Sequence, residues 1–210
     1  MQVNLEEIPP NGVNGSIAVE HTVAPGRYVH SWRVTTDRHP ATTSGPSGHA
    51  QQVPRGHYQA TARTDCIRRI ATWNVNTLYQ IGKLENLKKE AERLKLDIVG
   101  VSEARWTGSG KEVTADWIFY YSGGEKHESG VGVLIRKEIE ADVSGCWQLS
   151  DRVMLLKINA RPVNLNIIQV YAPTSGCSED MIDRFYEQVE SVRRQCKNNE
   201  VTIVMGDMNA

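Results

Sequence analysis

Four apolar runs in this chain end in side chains able to handle a phosphate or a hard cation. Asn74 and Asn76 close the run IRRIATWNV (Ile67–Val75), and Glu103 closes LDIVGVSE (Leu96–Glu103). Tyr171 closes VNLNIIQVY (Val163–Tyr171), while Asp207 and Asn209 follow VTIVM (Val201–Met205). A carboxylate at a strand end holds a hard cation through oxygen. An amide brings both donors and an acceptor and can orient a phosphate. A tyrosine hydroxyl donates to a developing anion. Taken singly, each position is an ordinary turn residue, since Asn, Asp and Gly are common where strands end. The weight lies in all four segments occurring together, because strand ends on one side of a sheet converge on one rim.

The elements that must position these groups begin after Cys66. Ile67–Val75 has strand character. Gly82-Lys83-Leu84 opens a helical stretch with Leu84, Leu87, Ala91 and Leu94 on one face. Leu96–Glu103 reads as a buried strand, Trp117–Tyr121 is aromatic and β-prone, and Ser129–Lys137 is strand-like. Arg152–Asn159 and Val163–Tyr171 flank Ala160-Arg161-Pro162 and read as a hairpin. Ser178 is placed to cap a second helix, with Glu179 and Asp180 in its first turn and Arg193, Arg194 and Lys197 in its last, as the helix dipole favours. Val201–Met205 is a final buried strand. Strands outnumber helices, hairpins stand beside helix-linked strands, and no GxGxxG follows the first strand. A mixed, α+β architecture with helices outside the sheets is expected, not a doubly wound one.

Residues 1–66 have a different composition. Six of the eight prolines and five of the six histidines lie there, amid PP, PNG, APG, SGPSG and PRG turns, without apolar periodicity. The histidines (His21, His30, His39, His49 and His57) have irregular spacing and no acidic or cysteine partners, so they are not read as a metal site. The segment is expected to be a disordered or low-order extension, unable to bury enough apolar surface to offset its chain entropy. The domain is assigned to 67–210. A net charge of −1 provides no general attraction to nucleic acid, so any such role must rest on a local site. Cys66, Cys146, Cys177 and Cys196 have neither zinc nor CxxC spacing and are read as reduced thiols. The N-terminus has no secretory pattern, and no apolar run reaches membrane-spanning length. An intracellular protein, in nucleus or cytoplasm, without a membrane partner, is expected. Nothing points to an oligomeric state.

In order, TWNVNTL, VSEARW, VYAPT and GDMNA resemble the successive motifs of the endonuclease/exonuclease/phosphatase family. YSGGEKHESGVG, LSDRVMLLKI and NLNIIQVYAPTS bring the resemblance closer to members derived from the endonucleases of non-LTR retrotransposons. The resemblance covers about Ile67–Ala210. It implies a partial four-layer α/β sandwich of the DNase I-like type and Mg²⁺-dependent hydrolysis of DNA phosphodiesters by an activated water, with Mn²⁺ as an alternative ion. It implies Glu103 as the main metal ligand, with Asn76 beside it where one branch of the family has aspartate. Asn74 and Tyr171 are implied near the scissile phosphate, Asp207 at the attacking water and Asn209 at a phosphate oxygen. Arg105 and Trp106 are substrate-side candidates, Arg105 equally readable as a surface ion pair. Trp73 is expected in the core.

The family's catalytic histidine lies in a Ser-Asp-His segment near the end of its domain. Here the sequence stops after GDMNA, so a truncated domain with impaired activity, open strand edges and an exposed apolar face is expected. His127, in a Gly-rich connection, is read as a solvated loop histidine, and Ser150-Asp151-Arg152 as a turn. Two alternatives stay open: a non-catalytic retrotransposon-derived fragment or protein-interaction module, and a phosphatase of lipid headgroups or nucleotides.

Overall fold

The computed structural model describes residues 16–23, 29–37 and 68–209. Its strands are β1 (Ser16–Val23), β2 (Val29–Asp37), β3 (Arg68–Asn74), β4 (Ile98–Ser102), β5 (Ser109–Val113), β6 (Trp117–Ser122), β7 (Val131–Arg136), β8 (Val143–Gln148), β9 (Val153–Ile158), β10 (Leu165–Tyr171) and β11 (Val201–Asp207). The helices are α1 (Lys83–Arg93) and α2 (Glu179–Arg193), with a 3-10 segment at Lys137–Asp142. One sheet has the order β1-β2-β3-β4-β7-β6-β5 and the other β11-β10-β9-β8.

Alternation along the strands explains the layering. Ile70 and Ile98, with Ile118, Val133 and Ile135 of the larger sheet, meet Met154, Leu156, Ile167 and Met205 of the smaller one in a fully buried inter-sheet core. The opposite face of the larger sheet, with Ala71, Val99, Val101 and Leu134, takes the Leu87 and Ala91 face of α1. Val153, Leu155, Ile168 and Val170 on the outer face of the smaller sheet take Phe185 and Val192 of α2. Helix, sheet, sheet and helix therefore stack as the four-layer sandwich that the sequence led us to expect.

Several local expectations need correction. Ser178 stands at the N-cap position of α2, but its side chain makes no capping hydrogen bond. β5 and β8 were not anticipated: SGKEV and VSGCWQ are polar or Gly-containing, and each is recruited by the strand beside it. β1 and β2 lie inside the segment expected to be a disordered or low-order extension. They form an antiparallel hairpin that joins β3, which would otherwise offer an open edge. Backbone pairing of this kind needs no apolar periodicity. The rest of that extension, with its other histidines and Cys66, lies outside the described residues. Cys146, Cys177 and Cys196 are free thiols, and burial pushes the Cys146 thiol up to about 11. Among the described residues, no helix is long and apolar enough to cross a membrane.

Candidate functional site

Two parallel strand pairs deliver the polar strand ends to one place. β3 and β4 run parallel, with Asn74 beside Ser102, and β10 and β11 run parallel, with Tyr171 beside Asp207. Because the two sheets pack face to face, both pairs finish on the same rim. Buried polar groups lock the pairs together just below it. The Ser102 hydroxyl donates to the Val170 carbonyl (3.0 Å) and accepts from the Gln169 amide (3.0 Å) and the Asp207 backbone N–H (3.2 Å). Gly100 leaves room for Gln169, whose amide oxygen a Cβ there would overlap.

Asn74 is the centre of the rim. Its Nδ2 donates to Glu103 Oε1 at 2.8 Å and to Asp207 Oδ2 at 2.7 Å, so one amide bridges carboxylates from the two sheets. Its Oδ1 accepts the Asn76 backbone N–H at 2.9 Å. Asp207 Oδ1 accepts the Asn209 N–H at 3.0 Å, and the Asn209 amide donates to the Ala172 carbonyl at 2.5 Å. Asn76, Glu103, Arg105 and Asn209 all have φ between 47° and 58°. Non-glycine residues seldom adopt this left-handed region, and such positions cluster where geometry serves a function.

The electrostatics follow from these bonds. Burial pushes the Glu103 carboxyl up, but hydrogen bonds from Asn74, Arg105 and Tyr171, together with the Arg105 charge, outweigh it and hold the group below its ordinary value. Burial, then the charge and hydrogen bond of Glu103, raise the Tyr171 phenol, and the Arg152 charge opposes them. At neutral pH the rim therefore presents an ionised Glu103 and a protonated Tyr171 that donates to it.

Arg105 reaches back to the same place. Its Nη2 lies 2.9 Å from Glu103 Oε2 and 3.2 Å from Asn76 Oδ1. These two oxygens, the ones expected to hold a metal, thus already converge on one positively charged nitrogen. Both are oxygen donors, the ligand type that hard cations take. Among the described residues, no cluster of three or more His, Cys, Asp or Glu side chains with metal-binding geometry occurs.

The other sequence candidates separate. Trp73 is half-buried against the α1-side core, as expected. Trp106 is half-buried beside the rim, edge-on to Phe119 (5.3 Å) and Tyr121 (4.9 Å). His127 is exposed but not simply solvated: its Nδ1 bonds the Arg105 carbonyl at 2.7 Å, and its ring lies 4.1 Å from that of Tyr79. Ser150-Asp151-Arg152 is a turn, yet Arg152 does more than turn the chain. Its Nη1 donates to the Tyr171 and Ala172 carbonyls (3.2 and 3.4 Å), and its guanidinium stands 4.9 Å over the Tyr171 ring. The sequence reading missed Arg152, Ser102 and Gln169 as parts of the site. The only local signal was a pair of polar residues, Ser102 and Gln169, inside otherwise apolar strands.

A model of the endonuclease/exonuclease/phosphatase family matches residues 71–210. Craniofacial development protein 2 of Bos taurus is 37% identical over 142 residues, which are 67% of this chain and 24% of that protein. The same protein of Tragulus javanicus is 36% identical over 142 residues, 67% of this chain and 25% of its own length. The chain thus spans about a quarter of the length of these curated relatives. Among solved structures, the endonuclease domain of TRAS1, a telomere-specific non-LTR retrotransposon, is similar over 68% of this chain and 59% of its own, at 17% identity and a TM-score of 0.49.

Proposed function

The chain belongs to the endonuclease/exonuclease/phosphatase family, and from that premise we propose that its rim hydrolyses phosphodiester bonds of DNA. The observation that carries this reading is the Asn74 amide joining Glu103 and Asp207 across two sheets. On this reading one carboxylate serves a cation and the other a water, both beside a single phosphate. The choice of DNA over headgroups or nucleotides rests on motif wording that resembles retrotransposon endonucleases.

Glu103 and Asn76 would hold the divalent ion, Mg²⁺ or Mn²⁺, once Arg105 yields their oxygens. When bound, such an ion neutralises charge that develops on phosphoryl oxygens. The chain's own groups supply the rest. Asp207 orients the water and accepts its proton as oxygen adds to phosphorus, and the ester P–O bond breaks with the departing oxygen taking a proton from solvent water. Tyr171 keeps its proton at neutral pH, and its O–H can turn from Glu103 to the developing anion. Asn209 lends Asp207 its backbone N–H and spends one amide proton on Ala172, with the other directed at a phosphate oxygen. Asn74 is implied to lie near the metal and the scissile phosphate. With Nδ2 committed to both carboxylates, its role is to hold them apart and aligned.

The competing reading is a non-catalytic interaction module. It is favoured by Arg105 occupying the oxygens a metal would need. Relaxation of supercoiled plasmid by the full chain, with Mg²⁺, Mn²⁺ or EDTA, separates the two. Metal-dependent nicking that Glu103→Ala and Asp207→Ala each lower by about 10²-fold or more is expected. Equal nicking by wild type and Glu103→Ala, or none by wild type, overturns the hydrolase reading.

A further inference from the structure

Beside the rim opens a cavity of about 450 Å³, within the roughly 300–1,000 Å³ range of small-ligand sites. Its walls include Tyr79, Ile81, Trp106, Tyr121 and His127. Tyr79 is 63% exposed and Ile81 fully exposed, though both are large apolar side chains. Trp106 is braced edge-on by Phe119 and Tyr121, so that wall is rigid.

Tyr121 comes from β6, and the loops that carry Tyr79 and Ile81 and that carry His127 are both fastened to the Glu103–Trp106 segment. Leu78 N–H donates to the Ala104 carbonyl at 2.9 Å. Ala104 N–H donates to the Gly130 carbonyl at 2.9 Å, and Arg105 N–H to the Ser129 carbonyl at 2.8 Å. His127 Nδ1 donates to the Arg105 carbonyl, because a carbonyl only accepts. Arg105 therefore touches both places, with its guanidinium on Glu103 and its backbone on His127. Whatever enters the cavity is indexed to the rim through that one residue.

The lining indicates the occupant. Among the described residues, no lysine or arginine lines the cavity and Glu85 does, so it is not built for a phosphate. It has flat aromatic faces in Tyr79 and His127, whose rings are 4.1 Å apart and inclined at 44°. Gln80, Thr107 and His127 add hydrogen-bonding edges. A planar group with apolar faces and a polar rim, joined to a phosphate nearby, suits both halves. We infer that the cavity receives a nucleobase of the strand under attack, stacked on the exposed face of Tyr79 with His127 packed behind that ring, while its phosphate lies at the rim. This rests on the reading of the rim as a DNA phosphodiesterase. Because every base has a π-face, the contact would tolerate any sequence.

The test uses the full chain and single-stranded oligonucleotides, each with one 2-aminopurine at a different position, titrated in EDTA to prevent cleavage. Quenching that Tyr79→Ala abolishes and Tyr79→Phe retains is expected. Loss of one aromatic stack in Tyr79→Ala should weaken binding about 5- to 150-fold, and Tyr79→Phe should keep wild-type affinity. Because Tyr79 is exposed, its thermal melt should match wild type. Unchanged affinity in Tyr79→Ala, or quenching that persists in that variant, overturns the inference. Plasmid nicking read in parallel separates the two claims. Nicking without Tyr79-dependent quenching removes the cavity assignment alone, and Tyr79-dependent quenching without nicking removes the hydrolase reading while the base contact stands.

Discussion

Replacing Asn74 with alanine should loosen the junction between the two sheets, and the cost can be worked from its bonds. The side chain donates to Glu103 at 2.8 Å and to Asp207 at 2.7 Å. A hydrogen bond to a charged group contributes about 1.5–3 kcal/mol when its partner is otherwise left unpaired. Glu103's side chain is only 16% exposed and Asp207 is half-buried, so water restores part of what is lost. A total of about 2–4 kcal/mol is expected, with mutual repulsion of the two carboxylates pushing toward the upper end. That is a large share of the roughly 5–15 kcal/mol stability of a typical domain. The assay is urea unfolding of the full chain at neutral pH for wild type, Asn74→Ala, Asp207→Ala and the double variant. The cycle isolates the inter-sheet bond and should return a coupling of about 1.5–2 kcal/mol. A coupling within about 0.5 kcal/mol of zero, the limit of simple additivity, would refute the claim that this amide ties the sheets together. Asn74→Asp should be worse than alanine at neutral pH, since it gathers three carboxylates, and should recover as pH falls and one of them protonates.

Arg152→Ala should cost about 1–3 kcal/mol in thermal or urea unfolding, through loss of its bonds to the Tyr171 and Ala172 carbonyls and its stacking on Tyr171. Arg152→Lys should recover only part, because an ammonium cannot reproduce the guanidinium fork. Gly206→Ala should lose about 3 kcal/mol or more in the same assay: φ is 145°, and a Cβ would overlap the Val170 backbone of β10. Hydrogen bonds from Asn166 and then the Lys197 backbone hold the Glu200 carboxyl at about 2. A depressed carboxylate contributes stability above its unfolded value near 4.3, and that contribution fades as pH falls toward the folded value. Melting temperature should therefore drop more steeply between about pH 5 and about pH 2.5 in wild type than in Glu200→Ala; equal slopes would show that Glu200 is not linked to folding.

Regular elements were legible where period and composition agreed. α1 follows the Leu84, Leu87, Ala91, Leu94 spacing, and β4, β6, β7, β9, β10 and β11 lie on the apolar or aromatic runs that announced them. β5 and β8 were not, because SGKEV and VSGCWQ have no apolar face of their own and become strands by pairing with β6 and β9. The β1–β2 hairpin is a similar case, gained through the edge of β3 rather than through its own pattern. Context overrides propensity most easily at sheet edges, where backbone bonds do the selecting.

The candidate site divides in the same way. From the sequence alone came the membership of the set: Asn74, Asn76, Glu103, Tyr171, Asp207 and Asn209, each at the end of an apolar run, because residue type and strand ends are local properties. What joins them was decided only by the tertiary structure. Asn74 and Asp207 are 133 positions apart, and their bond exists because two parallel strand pairs finish on one rim of a packed sandwich. The roles of Ser102, Gln169 and Arg152 arise likewise from β4, β10 and β11 meeting in space. Arg105 closing on Glu103 and Asn76, and His127 closing on Arg105, depend on left-handed turns and loop straps. A linear sequence can state which groups are present. The distances that make them a site come from the packing of two sheets.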